Sequence, residues 1–505
     1  MDRVVKIGLM LAAMLLVQTA GASAAGDLLI PRYSISEAPG KPLLIKEPKM
    51  PDLSGYTAEA VAAKIAYKPA GRALIQPMLK ENALDEFIGG QDRFKEWVVR
   101  QKQMPVAIFI DRGYMSLTQL ARSLPQTALR ETAPGVFLAR LPIVIRPGGT
   151  LHIDKSVKEL RLSQDGGSFL VNDGKLFITD TKVSAWSEKD DSPAWFKKEE
   201  TFRPFLISWG GTETYIVNST ITSFGYTESK SYGVSISQYS PSMAPKMKRK
   251  KPTGWLINSQ FIDNYFGFYC YEADDVVILR NTYRANIVYG IDPHDRSRRL
   301  IIAHNDVFDT HKKHGIILSR EVNDSWIIYN RTYNNHLSGI VLDRSSVNNL
   351  LAYNETYKNR SDGITLYESG NNLIWRNRAA DNDRHGIRVR NSTGVRLYEN
   401  ELMANALTGI YGHTKDLRGS DRDLKEDPYE AKLSLTVVGG KLIGNGSSPI
   451  AVFSPSRLEL YDLTFLAPQK QDGLAFTGLL GDVQGDLMDI LLRRHAAALI
   501  LPETL

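Results

Sequence analysis

Gly290, Gly315, Gly339, Gly363, Gly386 and Gly409 recur at intervals of 25, 24, 24, 23 and 23 residues, and an isoleucine follows each. Asn281, Asn305, Asn330, Asn354, Asn377 and Asn400 keep the same beat nine or ten residues earlier. A second polar mark lies between them at Asn286, Asn335, Asn359, Asn382 and Asn405, with His311 assigned to that phase in the remaining coil. A period of this length means stacked coils, each burying its apolar face only against its neighbours. β-Branched residues dominate and no 3.6-residue apolar period persists, so the units are strands. Leucine-rich repeats would show more leucine, and helical pairs need longer units. The expected fold is all-β, a right-handed parallel β-helix whose coils stack at about 4.8 Å.

Asn suits a turn because its side chain tolerates the left-handed conformation and bonds the backbone, and stacked copies can bond one another. The glycines are expected to supply backbone freedom at a bend. In the strand after each glycine, alternation sorts inside from outside. Ile316/Leu318, Ile340/Leu342, Ile364/Leu366 and Ile387/Val389 face the core, and Cys270 reads as a small buried hydrophobe. In the coil opened by Gly290, the outward positions hold Asp292 and His294.

Arg3 and Lys6, an apolar run over 7–17 and Ala22-Ser23-Ala24 read as a secretory signal peptide spanning 1–24. The run is too short for a comfortable membrane span, and one cysteine allows no intrachain disulfide framework. Residues 25–138 lack the period and are expected to form a leading subdomain that caps the first coil. The β-helix is expected over 139–467, interrupted by a charged loop at 415–430. A helical cap over 468–505 is expected to close the sticky open end, with helical spacing from Asp482 to Leu499.

The net charge of +6 is modest, but its placement is informative. A basic run, Lys246 to Lys251, sits in an insertion, and the repeat carries Arg296, Arg298, Arg299, Lys312, Lys313, Arg320, Arg344, Arg360, Arg384, Arg388 and Arg390. Along a groove such a set suits an anionic polymer. The export signal disfavours nucleic acid and favours an acidic polysaccharide.

Asp292-Pro293-His294-Asp295 departs from its neighbours: Pro293 takes a core position, and two carboxylates flank a histidine. Counting by the repeat places Tyr271, Ser319, Asp343, Tyr367, Arg390 and His413 in the His294 column, and Tyr269 in that of Asp292. Arg320 falls one position further along the next coil, and Tyr289 just precedes the glycine. The candidate catalytic set is therefore His294, Arg320, Asp292, Asp295, Tyr289 and Tyr271. Lys312, Lys313, Arg296, Arg344, Tyr269, Tyr367, Arg390 and His413 are candidates for holding substrate.

With this motif on this repeat behind a signal peptide, the chain resembles the periplasmic mannuronan C5-epimerases of alginate-producing bacteria over essentially its whole length. The resemblance implies a right-handed β-helix that converts β-D-mannuronate to α-L-guluronate within the polymer. It implies His294 as the base and Arg320 as the group that neutralises the carboxylate. It further implies no nucleotide, metal or other cofactor, a periplasmic location and association with other alginate secretion proteins. The residue chemistry agrees. The C5 proton lies α to a carboxylate, a poor electron sink unless a cation neutralises it, as a guanidinium does with paired hydrogen bonds. A histidine is a suitable base near neutral pH, and Asp292 and Asp295 would orient it and raise its pKa. The acid remains open between water, Tyr271 and Tyr289. A uronate lyase, which removes the same proton and then expels the 4-linked sugar, and a non-catalytic alginate-binding scaffold are the rival readings.

Overall fold

The computed structural model describes residues 32–39, 45–79, 81–88, 91–228, 230–468 and 473–503. The signal peptide expected over 1–24 lies outside the described residues. Each coil of the central repeat carries three short strands. In the motif coil these are Val277–Leu279, Thr282–Arg284 and Tyr289–His294. The next coil repeats them as Ile301–Ala303, Asp306–Phe308 and Ile316–Ser319. Every strand pairs in parallel with its counterparts one coil before and after, giving three parallel faces. The fold is a parallel β-helix, wound in the right-handed sense that parallel crossovers take.

Its core is the column of alternating residues read from the sequence. Ile316, Leu318, Ile340, Leu342, Ile364, Leu366, Ile387 and Val389 are all fully buried, as is Cys270. Truncating any one of the large members to alanine costs about 2–5 kcal/mol. The asparagines form ladders between coils. Asn354, for example, accepts the Asn330 backbone N–H at 3.0 Å and donates to Ile327 O at 2.7 Å.

Three details of the coil differ from expectation. The left-handed residue is the one before each asparagine, namely Arg280, His304, Tyr329, Tyr353, Arg376 and Glu399; the asparagine supplies hydrogen bonds instead. The column glycines do not have positive φ, and close approach is what demands them. A Cβ on Gly339 would lie 2.4 Å from Thr332 Oγ1 and 2.8 Å from Gly363 O. The second polar column passes through buried Thr310, not exposed His311. The Thr310 hydroxyl bonds Asn335 Oδ1 at 3.0 Å, and the extra residue of that coil falls between this turn and Gly315.

Parallel pairing begins before residue 139, at Val106–Ser116, which pairs with both Ile143–Ile145 and Gly149–Ile153. The preceding segment does more than cover the first coil. Tyr33–Glu37 pairs antiparallel with Ala498–Pro502 at the far end of the stack. The chain then returns past Tyr353, which bonds Glu47 at 2.9 Å, and Trp255, which packs edge-on against Tyr56. It ends as Arg72–Pro77, antiparallel to Val106–Ser116. The C-terminal end is covered by helical segments over Leu479–Asp482, Gln484–Met488 and Asp489–Arg493, with Leu480, Leu487, Ile490 and Leu491 buried. Leu499 is not helical, because the chain turns back as a strand that pairs with Arg457–Tyr461. The basic insertion folds down: Met243, Ala244 and Met247 pack on an aromatic cluster that includes Trp209 and Tyr239, and Arg249 pairs with Asp173.

Candidate active site

The strand Tyr289–His294 pairs Tyr269 with Asp292 and Tyr271 with His294 on one side, and His294 with Ser319 on the other. Alternation turns Pro293 into the core and presents Asp292 and His294 on the outer face. The chain then leaves the strand through two left-handed residues, Asp295 and Arg296, with φ of 36° and 54°. This corner curls the Asp295 carboxylate back onto His294 Nδ1, where the two form a short hydrogen bond. The next coils turn the same corner at Arg320/Glu321 and Arg344/Ser345, so Asp295, Arg320 and Arg344 stack as one column.

Asp292 and His294 line a cleft of about 440 Å³. Tyr232, Tyr265, Phe266, Tyr269 and Tyr289 give it aromatic walls, and Lys312, Lys313, Glu199, Thr227 and Ser319 supply polar groups. Tyr232 stacks on Phe266 at 4.6 Å, and the Tyr269 ring lies 6.0 Å from that of His294. Asp292 is 2% exposed and its Oδ1 has no hydrogen-bond partner. Burial pushes its carboxyl up to about 7; the charge of His294 opposes the rise and that of Asp295 adds to it. For His294, burial works against the charged ring. The Asp295 hydrogen bond and the charges of Asp292 and Asp295 outweigh it, so the pKa is raised. With Nδ1 held by Asp295, Nε2 is the nitrogen left to take a proton. Burial, with Asp292 adding, raises the Tyr289 hydroxyl far above the ordinary phenol value, so it keeps its proton.

A second hollow of about 450 Å³ lies on the other side of the His294–Asp295 pair, lined by Tyr271, Asp295, Arg296, Arg320, Arg344 and Asp427 among others. Arg320 belongs here and not to the His294 cleft. It sits one rung from Asp295, which stands between it and the imidazole, and reaches Asp295 at 3.4 Å and Asp427 at 2.7 Å. Arg344 bonds Asp427 at 3.3 Å and pairs with Asp343 at 3.3 Å. Arg296 is tied to Glu272 at 2.6 Å, and its guanidinium also reaches the Tyr271 hydroxyl at 3.4 Å. Of the two tyrosines considered as acid, only Tyr289 shares the cleft with His294.

The remaining candidates extend the face away from this point. Ser319, Asp343, Tyr367, Arg390 and His413 follow His294 in unbroken register. His413 is therefore five rungs away, about 24 Å at the usual strand spacing. Arg390 pairs with Glu368 at 2.8 Å and lies 3.9 Å over the Tyr367 ring. His413 accepts from Arg388 at 3.3 Å, and burial with the Arg388 charge pushes its pKa down to about 4. Lys312 pairs with Glu199. Lys313 is exposed, sits 5.5 Å over the Tyr289 ring and has no acidic partner among the described residues.

Residues 217–418 match the family of periplasmic copper-binding proteins (NosD). Among the described residues no three His, Cys, Asp or Glu side chains gather as metal ligands would, so these residues do not fit a copper centre. Over 470 residues the chain is 63% identical to a mannuronan C5-epimerase of Pseudomonas aeruginosa, covering 93% of this chain and 87% of the relative. It is 60% identical over 480 residues to the mannuronan C5-epimerase AlgG of Azotobacter vinelandii, covering 95% and 91%. The crystal structure of the periplasmic alginate epimerase AlgG is 55% identical, with a TM-score of 0.83 over 84% of this chain and 100% of that one. The chain belongs to the mannuronan C5-epimerase family.

Several parts of this epimerase-family site carry no signal in the repeat. Glu199, Thr227 and Tyr232 come from coils whose spacing is too loose to count, whereas Phe266, paired with Tyr289 one coil on, sits in register beside Tyr265 and reads in the sequence only as an apolar strand start. Asp427 comes from the loop at 415–430, which leaves the stack beyond His413 and folds back to Arg320. His314 stacks near-parallel with Tyr289 at 6.1 Å between centroids, and burial drives its pKa down to about 3.

Proposed function

We propose that this protein epimerises β-D-mannuronate to α-L-guluronate at C5 within polymannuronate, in the periplasm, by proton removal and return. The observation that carries the reading is the His294–Asp295 pair facing a saccharide-sized cleft in a chain of this family. His294 takes H5 through Nε2, and Asp295 holds the ring and stabilises the imidazolium as it forms. The C5–H electron pair is left on C5 and drawn toward the carboxylate, whose charge needs a neighbouring cation. Lys313 faces the cleft with its charge free for this task. Arg320 has its amines committed to Asp295 and Asp427, so its part in neutralisation requires release. Asp292, with its pKa near 7, can meet a uronate in neutral form without repelling it. Tyr289, or a water it holds, returns a proton to the opposite ring face, and the 4-linked sugar stays in place. The column from Ser319 to His413 holds neighbouring uronates. Association with other alginate secretion proteins belongs to the same proposal. No helix among the described residues is long and apolar enough to cross a membrane.

The test is proton NMR of polymannuronate incubated with purified protein. Guluronate signals should grow without ultraviolet-absorbing unsaturated ends. The His294→Ala variant should fold and bind polymer but leave the spectrum unchanged. Unsaturated ends would make the protein a lyase, and full activity in the variant would remove His294 from the mechanism.

A further inference from the structure

The loop at 415–430 leaves the stack just after the strand Thr408–His413 and doubles back over the face toward the motif. Most of it is exposed, and it touches down at three points. Leu417 is buried at its root, where Lys415 also bonds Asn391 through both backbone groups at 2.7 Å. Arg422 reaches Glu368 at 2.8 Å, leaving its Nε and Nη2 buried without partners. Asp427, with its side chain 5% exposed, sets one carboxylate oxygen between Arg320 at 2.7 Å and Arg344 at 3.3 Å. The two arginines stand one rung apart on stacked left-handed corners, and both line an open hollow.

A carboxylate between two guanidinium groups beside a catalytic histidine is the arrangement a uronate itself would adopt. With Asp427 in place, Asp295, Glu272, Glu321 and Asp343 leave none of Arg296, Arg320 and Arg344 without an acidic partner, and a polyanion gains little by entering. We infer that the 415–430 segment is a displaceable strap: Asp427 occupies a uronate-carboxylate subsite on Arg320 and Arg344, and incoming polymer exchanges a sugar carboxylate for it. This rests on the reading of the protein as a polyuronate enzyme. The exchange conserves the ion pairs of both arginines, so the strap holds them ordered when no polymer is present and yields to substrate at little cost. Arg422, incompletely bonded in the closed position, gains solvent when the segment lifts.

Two measurements on the mature protein test this. Amide exchange over 415–430 should rise when polymannuronate is added and stay unchanged with a neutral glycan of similar length; unchanged or greater protection with bound polymannuronate would overturn the strap. Asp427→Asn should bind polymannuronate at least roughly threefold more tightly, because the competent state is no longer masked. Asp421→Asn removes the same charge from the same loop away from the arginines and should leave affinity unchanged. Equal tightening in both variants, or a fall in kcat of Asp427→Asn with affinity unchanged, would reduce Asp427 to a charge effect or a positioning residue. If the protein binds no polymannuronate at all, the parent reading fails as well; binding without loop release sinks the strap alone. Should Asp427→Asn not fold, the exchange experiment on the unaltered protein decides.

Discussion

Asn354→Ala measures how firmly the repeat holds the register on which the site depends. Asn354 is fully buried; it accepts the Asn330 backbone N–H and Nδ2, both at 3.0 Å, and donates to Ile327 O at 2.7 Å and Asn377 Oδ1 at 2.9 Å. Alanine fills part of the space but replaces none of these bonds. Asn330 Nδ2 keeps Ile302 O at 2.8 Å, and Asn377 Oδ1 keeps the Asn354 N–H at 3.0 Å. The Asn330 N–H and the Ile327 carbonyl are the groups that lose out. At roughly 1–3 kcal/mol for each buried group left unmet, the expected loss is about 2–6 kcal/mol. Because coils couple chiefly to their neighbours, the effect should be local. Urea unfolding followed by circular dichroism, with amide exchange read at Asn330 and its neighbours, would register it. Asp383→Ala, on an exposed turn, should change stability by less than about 0.5 kcal/mol. An Asn354→Ala protein as stable as that control would refute the claim that the ladder holds the coils in register.

Three further outcomes follow from the site. His294 has a raised pKa, so its neutral, proton-accepting form becomes the major one only above the ordinary histidine value of 6.5, and the midpoint of the acid limb of the pH–rate profile should lie above it. Asp295→Asn removes the negative charge that, with its hydrogen bond, raises the pKa, so this limb should move to lower pH; a limb that stays put would separate Asp295 from the base. Lys313→Ala takes a free cation from the cleft and should raise KM for polymannuronate roughly two- to fivefold, as expected for an exposed charge; unchanged steady-state kinetics would exclude it from substrate contact. Cys270 is fully buried and its thiol is pushed up to about 12 by burial, so intact mass after iodoacetamide should show no adduct in buffer and one adduct in urea.

The coil was legible because its two signals are local. Alternation after Gly315, Gly339, Gly363 and Gly386 marks inside from outside, and the spacing carries that phase up the stack. His294 thus aligns with Tyr271, Ser319, Asp343, Tyr367, Arg390 and His413 in the observed register. Counting cannot reveal where long side chains go once they pass a corner. Arg320 is in the expected place along the chain, yet its guanidinium turns to Asp295 and to Asp427, 107 residues away. The same holds for non-periodic segments. Residues 32–39 pair with the last coil and residues 45–77 lie back along the stack toward its first, and the aromatic wall from Tyr232 to Phe266 comes from coils of uneven length. Their positions follow from packing against surfaces that exist only after the coils have formed.

The central claim is that C5–H is broken and remade without cutting the chain, with His294 as the base. The most direct measurement is incubation of polymannuronate with the protein in D₂O, followed by NMR and chain-length analysis. Deuterium should enter at C5 of each new guluronate while polymer length stays constant, and His294→Ala should incorporate none. Guluronate formed without solvent deuterium at C5, or deuterium still entering in His294→Ala, would contradict the account.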